Sequence, residues 1–501
     1  MILMKKTLLF CSLAFFSSAV LANTPPAIRP EPQVEPELKL HTAEPSVLDA
    51  VDKPKPVTET KQEQVLEVNA QMLLENPKLL SRAMYSAVMM QNVAGIKVLL
   101  PIYEQWPQHD KGLAKFGRAL VAQSEGKAKE AVALYRELIA EQPDAAVIRM
   151  QLAQALFEDQ QNEAAIDQFD RLQSENLPDV VRERIAQYRE ALRKRDAWQV
   201  YGGINIAREQ NINQAPKQRR LGNYLNEQQC ADARKNYPSD DCFRGWTFDA
   251  PIDATVISYQ AGAEKKWSLN SGFYTKAGVD IYGKSYPSYS RYNDITVRVT
   301  GGVGYADQRN DVGVSPFHER RIYGNDAYSY TNGARLHWNR WLTPRLQTLT
   351  AVELGRLKNI QRERSDITSQ LVSGSLVFYS SARQYWLLGT DFYKERNGQD
   401  RSDNFNRYGV RAAWGQEWGG GLSSRVQVGG ARRLYDTPTL LSDGARREDK
   451  EWNASVSLWH RAVHLGGITP RLTFSHNRTS SNDVFHEHSK NRAFVELTKA
   501  F

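Results

Sequence analysis

The chain has 501 residues, 24% of them charged, with a formal net charge of +8 and a mean hydropathy of −0.56. That length exceeds one ordinary core of roughly 100–200 residues, so at least two domains are expected. A helical membrane protein is excluded, because each spanning helix needs about 20 consecutive apolar residues and no such run follows residue 22; a β-barrel, whose strands are only half apolar, survives.

Residues 1–22 combine Lys5 and Lys6, an apolar run over 8–20 and the small-residue exit Val20-Leu21-Ala22. This reads as a secretory signal cleaved near Ala22. Cys11 lies in the apolar run behind bulky Phe10 and would leave with it. Residues 23–66 hold eight prolines among Glu, Lys and Val and read as a disordered tether. The mature chain keeps Cys230 and Cys242, an even count in an oxidising compartment, and a disulfide between them is expected. No histidine lies between Gly202 and Phe317 to complete a metal site there.

Residues 67–197 read as helical, rich in Ala, Leu, Gln, Glu and Arg. Ala119, Ala131, Tyr135 and Leu138 recur 34 residues later as Ala153, Ala165, Phe169 and Leu172. Thirty-four is the tetratricopeptide period, in which a small residue lets two helices approach while an aromatic four positions on fills the gap. These eight residues are expected in the repeat core, and any binding is expected on the concave face of the stack.

At Trp198 the period switches from 3.6 to 2 and stays there to residue 501. Phe273, Thr275, Ala277, Val279 and Ile281 alternate with Tyr274, Lys276, Gly278 and Asp280; Val410, Ala412 and Trp414 alternate with Arg411, Ala413 and Gly415. Segments of about ten residues cross a bilayer at a tilt, longer than the five or six usual in a sandwich. Fourteen strands are expected, starting near 198, 256, 272, 293, 312, 328, 346, 370, 383, 405, 422, 452, 468 and 493. Links after odd strands read as long (209–255, 284–292, 321–327, 357–369, 395–404, 434–451, 479–492), and most links after even strands as tight. That asymmetry belongs to outer-membrane barrels with a periplasmic N-terminus. The expected fold is therefore α plus membrane β: tetratricopeptide-like repeats over 67–197, then a 14-stranded antiparallel transmembrane β-barrel over 198–501. The segment 493–501, with alternating apolar residues and terminal Phe501, resembles the signal by which such barrels are recognised for insertion, although Lys499 stands where an apolar residue is usual.

Residue chemistry argues against an enzyme. His460 and His464 straddle a strand end and a turn, and His486-Glu487-His488 sits in a loop without a third ligand. No local nucleophile motif is present, no cofactor is implied, and the outer-membrane location removes nucleic acid as a partner of the basic half. The inward charges Lys276, Asp280, Arg335, Arg411, Glu417 and Arg471 mean either a hydrated channel or a network holding a plug.

Several long strings carry a family resemblance: residues 79–88 (LLSRAMYSAV), 211–217 (NINQAPK), 263–269 (AEKKWSL), 317–336 (FHERRIYGNDAYSYTNGARL), 402–424 and 491–501. Through them the chain resembles the surface lipoprotein assembly modulators, or Slam proteins. The resemblance implies an outer-membrane translocator that delivers lipoproteins to the cell surface. The repeats would engage the substrate or a periplasmic carrier or chaperone, and the barrel would give passage. Outer-membrane lipid and the barrel-assembly machinery are the other partners implied. A seam between first and last strands, at Gly202, Gly203, Val495, Leu497 and Phe501, would let an acyl anchor reach lipid. A repeat-fused exopolysaccharide exporter and a passive porin are the alternative readings.

Overall fold

The computed structural model describes residues 70–175, 177–216, 246–361, 366–438, 444–464 and 468–500, with a few further positions at 220–235 and 442. The signal, the Pro-rich tether, Cys230, Cys242 and Phe501 lie outside the described residues.

Among the described residues eight helices come first: α1 (Ala70–Glu75), α2 (Pro77–Met89), α3 (Val93–Tyr103), α4 (Lys111–Ser124), α5 (Ala128–Glu141), α6 (Ala146–Glu158), α7 (Asn162–Gln173) and α8 (Asp179–Arg195). Among them no helix is long and apolar enough to cross a membrane. Side-chain caps start three of them: Asn76 accepts from the Leu79 amide, Asn92 from Gly95, and Asp110 from Gly112 and Leu113. Each such cap satisfies an amide the helix cannot and is worth about 1 kcal/mol. Ala119, Ala131, Tyr135, Leu138, Ala153, Ala165, Phe169 and Leu172 are all 0–2% exposed, lying between successive helix pairs. Phe116 meets Tyr135 edge-on and Phe169 stacks on Tyr188, so the aromatic of each repeat fills the space its alanines leave.

A closed barrel of fourteen antiparallel strands follows: β1 (Trp198–Glu209), β2 (Ala254–Ser268), β3 (Phe273–Ser285), β4 (Asp294–Ala306), β5 (Asn310–Tyr323), β6 (Asp326–Thr343), β7 (Leu346–Asn359), β8 (Ile367–Ser381), β9 (Gln384–Asn397), β10 (Phe405–Glu417), β11 (Leu422–Pro438), β12 (Arg446–His460), β13 (Arg471–Ser481) and β14 (His488–Ala500). Neighbours in sequence pair throughout, and β1 closes the ring on β14. Apolar residues such as Ile206, Val303, Leu388, Val410 and Phe474 are exposed on the outer wall. In a soluble protein that surface would aggregate; in a bilayer it is the lipid contact.

Four strand starts differ from expectation by three residues or more. The strand expected at 452 begins at Arg446, that at 493 begins at His488, that at 370 begins at Ile367, and that at 468 begins at Arg471. Charged residues at 446–451 read as loop, yet ion pairs on both faces, Arg433–Glu451 and Arg447–Asp449 inside and Arg432–Glu448 outside, let them continue the ladder. The link expected over 321–327 is the two-residue turn Gly324-Asn325, with φ of 62° and 73°. Positive φ at both positions is the type I′ geometry, which matches the strand twist.

Candidate functional site

The inner wall is built from the charged half of each alternation. On one side Arg298 of β4 bonds Glu353 of β7 at 2.8 Å and lies 3.6 Å from Glu319 of β5, while Arg335 of β6 reaches Glu353 at 3.2 Å. Strands β4 and β7 are not neighbours, so this contact spans the concave interior and fixes these side chains as luminal. Arg298 also lies over the Phe317 ring at 3.6 Å, and Tyr282 donates to Glu319. A second belt joins β8 to β12. Arg407 bridges Asp391 (2.6 Å) and Glu451 (2.8 Å), Arg433 holds Glu451 at 2.6 Å, and Arg411 reaches Asp391, Ser373 and Ser375. Each arginine presents a planar fork of donors, so one residue ties two or three strands together.

The junction of β1 and β14 is built differently. β1 pairs with β14 over nine residues, Tyr201–Glu209 against 492–500, but with β2 over twelve. The facing side chains Ile204/Leu497 and Ile206/Val495 are apolar and exposed on the outer wall. A buried polar latch closes its extracellular end, beside an exposed hydrogen bond from Asn491 to Gln210. Glu209, 2% exposed, faces Lys490 (3.5 Å) and Arg492 (4.0 Å) of β14 and Lys284 of β3 (3.2 Å), and accepts from the Tyr286 hydroxyl at 3.1 Å. Directly above it Ile212 packs with Ala207, Ala254, Val256, Tyr286 and Tyr292, and Phe494 of β14 joins them. Asn211 holds the turn by exchanging two hydrogen bonds with Ala215.

The helical domain stands on the periplasmic turns beside β1. Lys129 of α5 pairs with Asp307 in the β4–β5 turn at 3.0 Å and lies over the Tyr305 ring; Arg309 donates to the Glu125 carbonyl. Asn162 of α7 donates to Ser268 at the end of β2, and Ser268 donates to Asp196, the residue linking α8 to β1. Burial opposes ionisation of Asp307, but hydrogen bonds from the Arg309 amide, Lys129 and Asn310 outweigh it and hold the carboxyl at about 2. Hydrogen bonding to Tyr305, with the Asp307 charge, holds the Lys129 ammonium above its ordinary range.

The family model for surface lipoprotein assembly modifiers matches residues 198–501, the whole barrel. The chain belongs to that family. Its N-terminal repeat model matches residues 66–169. Surface lipoprotein assembly modifier 1 of Neisseria meningitidis is 54% identical, the match covering 98% of this chain and 96% of the relative. The surface lipoprotein assembly modifier of Moraxella catarrhalis is 43% identical over 93% and 88%. Modifier 1 of Haemophilus influenzae is 33% identical over 97% and 98%. This family member is an outer-membrane β-barrel carrying a tetratricopeptide domain outside the barrel.

The charged residues singled out from the family member's sequence fall in three places. Arg335 and Arg411 are in the two belts. Asp280 accepts from Tyr201 of β1, and Lys276 lies on the same inner face of β3. Glu417 and Arg471 sit at the periplasmic ends of their strands: Glu417 is 44% exposed and lies 3.6 Å from Arg461, and Arg471 lies 3.8 Å from Glu496. Gly202 and Gly203 face Lys499 and Thr498 across the seam. Sequence reading missed Glu209, Lys490 and Arg492, which are separated by some 280 positions and meet only on barrel closure. It missed Glu451 because that residue stood in an assigned loop.

Proposed function

We propose that this barrel is a non-enzymatic translocator that delivers lipoproteins to the cell surface, passing the polar chain along the inner wall and the acyl anchor through the β1–β14 seam. The observation that carries the reading is the seam itself. It is joined over fewer residues than the other side of β1, its lipid face is apolar, and its buried latch lies at the extracellular end. A lipidated substrate must keep its acyl chains in an apolar phase while its polar chain stays wet, and a seam between lumen and bilayer satisfies both. The names of the relatives support lipoproteins as the substrate class. Repeats standing at the periplasmic mouth beside β1 suit a domain that receives the substrate or its periplasmic carrier.

The test is a reversible lock. Ile206 and Val495 are directly paired, and cross-strand partners lie about 4.5–5.5 Å apart, within reach of a disulfide. Ile206→Cys with Val495→Cys would be expressed with candidate lipoproteins in a host lacking the system, and exposure measured on intact cells. Display should be lost when the pair is oxidised and return with reductant. Full display by the oxidised protein would overturn the lateral route. Deleting residues 67–197 separates the broader reading from a passive porin, since a porin would keep its conductance and a translocator would lose display.

A further inference from the structure

The lipid-facing wall over β8–β12 contains a groove of about 540 Å³ that the translocation path does not use. It arises from register. Gly374, Thr390, Val410 and Gly430 form one lateral row across β8–β11, and Trp452 of β12 closes its end. The next row toward the extracellular rim is Val372, Phe392, Tyr408, Arg432 and Lys450. Small residues make the floor and aromatics the walls, so the outer surface is dented by about the depth of a side chain where a smooth barrel would be filled.

Charge is unbalanced beside this dent. Arg432 and Lys450 are directly paired across β11 and β12, an arrangement of like charges that is destabilising on a sheet. Glu448 serves both, at 2.7 Å from Arg432 and 3.8 Å from Lys450. Arg478 of β13, opposite Trp452, is exposed on the same face with no ion-pair partner among the described residues. Cations are tolerated on a lipid face near the headgroup level and cost about 2–4 kcal/mol at the midplane. Three cations against one carboxylate, beside an apolar slot and the exposed rings of Tyr408 and Trp452, leave an anionic partner to be supplied from the membrane.

We propose that this groove binds one phosphorylated, multiply acylated sugar lipid of the outer leaflet, with an acyl chain in the slot and a phosphate between Arg432, Lys450 and Arg478. The aromatic faces favour a sugar over a glycerol headgroup, because a ring can stack on a pyranose. Charge complementarity favours it over the uncharged acyl anchor of a lipoprotein. The slot lies over β8–β11 and the phosphate reaches only to β13, on the side of β14 away from the exit, so its occupant reinforces the wall and does not obstruct the seam.

The test uses the full chain in detergent and native mass spectrometry, titrated with four lipids: bisphosphorylated lipid A, its dephosphorylated form, phosphatidylglycerol and a triacylated lipopeptide. Wild type should retain one lipid A at least about tenfold more tightly than the other three. Arg432→Gln with Lys450→Gln should remove that preference. Gly374→Leu should do so separately by filling the slot; a Cβ at Gly374 meets nothing within 4 Å, so the barrel tolerates the change. Equal retention of phosphatidylglycerol or lipopeptide would overturn the proposal, as would unchanged lipid A binding in both correctly folded variants.

Discussion

Two sectors of one barrel share the same backbone bonding and differ in what lies inside. From β4 to β12 the inner wall is stitched by arginines, with Arg298, Arg407 and Arg411 each touching residues from two or more other strands. From β13 through β14 to β1 the wall rests on ladders of nine residues at β14, on the long Arg471–Glu496 pair and on the Glu209 latch. Ladder hydrogen bonds contribute about 1 kcal/mol each wherever they occur, so the side-chain layer decides where the ring parts. The two edges of the seam also differ. β1 is tied through Asp196 and Ser268 to the repeat domain, whereas β14 is held by its two neighbouring strands and, through Phe494 and Asn491, by the segment after β1 and its cluster, with no bond to the repeat domain among the described residues. If the seam opens, β14 is the strand that swings.

The comparison breaks most visibly at Arg298. It is 11% exposed and serves two carboxylates, so Arg298→Ala leaves Glu319 and Glu353 facing each other without their main cation. Removing one partner of a buried ion pair costs about 3–5 kcal/mol. Urea unfolding in lipid vesicles should show that loss; a change below about 1 kcal/mol would mean that the belt is solvated and the wall no firmer than the seam.

Glu209→Gln probes the other sector and should act locally. The latch loses its charge while the ladder, Ile212 and Phe494 remain, so global stability should fall by about 1–3 kcal/mol. Hydrogen exchange should accelerate in β14 and the facing half of β1, with β8–β10 unchanged. Uniform acceleration around the ring would erase the distinction between sectors.

What was legible in the sequence follows from the range of the interactions involved. The repeat core was readable because Ala119, Tyr135 and their counterparts 34 positions on are local packing solutions. The barrel was readable because alternation is local to each strand. The turn at Gly324-Asn325 had a local signal too, a Gly-Asn pair flanked by strand residues, that a preference for long outer loops concealed. The belts and the latch were not legible as units, since Arg298 and Glu353, or Glu209 and Lys490, come together only through strand order and barrel closure. Charges at 446–451 looked like loop for the same reason: their partners Arg432 and Arg433 lie on the preceding strand, and until pairing is known a charged strand end and a charged loop are the same string.

The smallest expected effect lies at the footing that anchors β1. Lys129 is 61% exposed and Asp307 11% exposed, so their pair is worth about 0.2–1 kcal/mol and is weakened by salt. Lys129→Ala should therefore loosen the domain at the β4–β5 turn without releasing it, because Asn162 and Asp196 still hold Ser268. Distances between spin labels on α5 and on the barrel rim should broaden modestly. The pH dependence has a definite sign. A carboxyl held at about 2 in the folded protein, against about 3.9 when unfolded, contributes stability that is complete above about pH 4 and is lost as pH falls toward 2. The Lys129 ammonium, held above its ordinary range, keeps its charge throughout neutral pH, so the footing should be indifferent to pH between about 5 and 8. Glu158 of α6 behaves oppositely: burial pushes its carboxyl up to about 7 against a hydrogen bond from Gln123. Its ionisation therefore weakens the repeat domain as pH rises from about 4.5 to about 7 and adds nothing further above that. A footing that loosens as pH rises between about 5 and 7 would thus report strain transmitted from α6, and Glu158→Gln would abolish that response while leaving the Lys129–Asp307 pair intact.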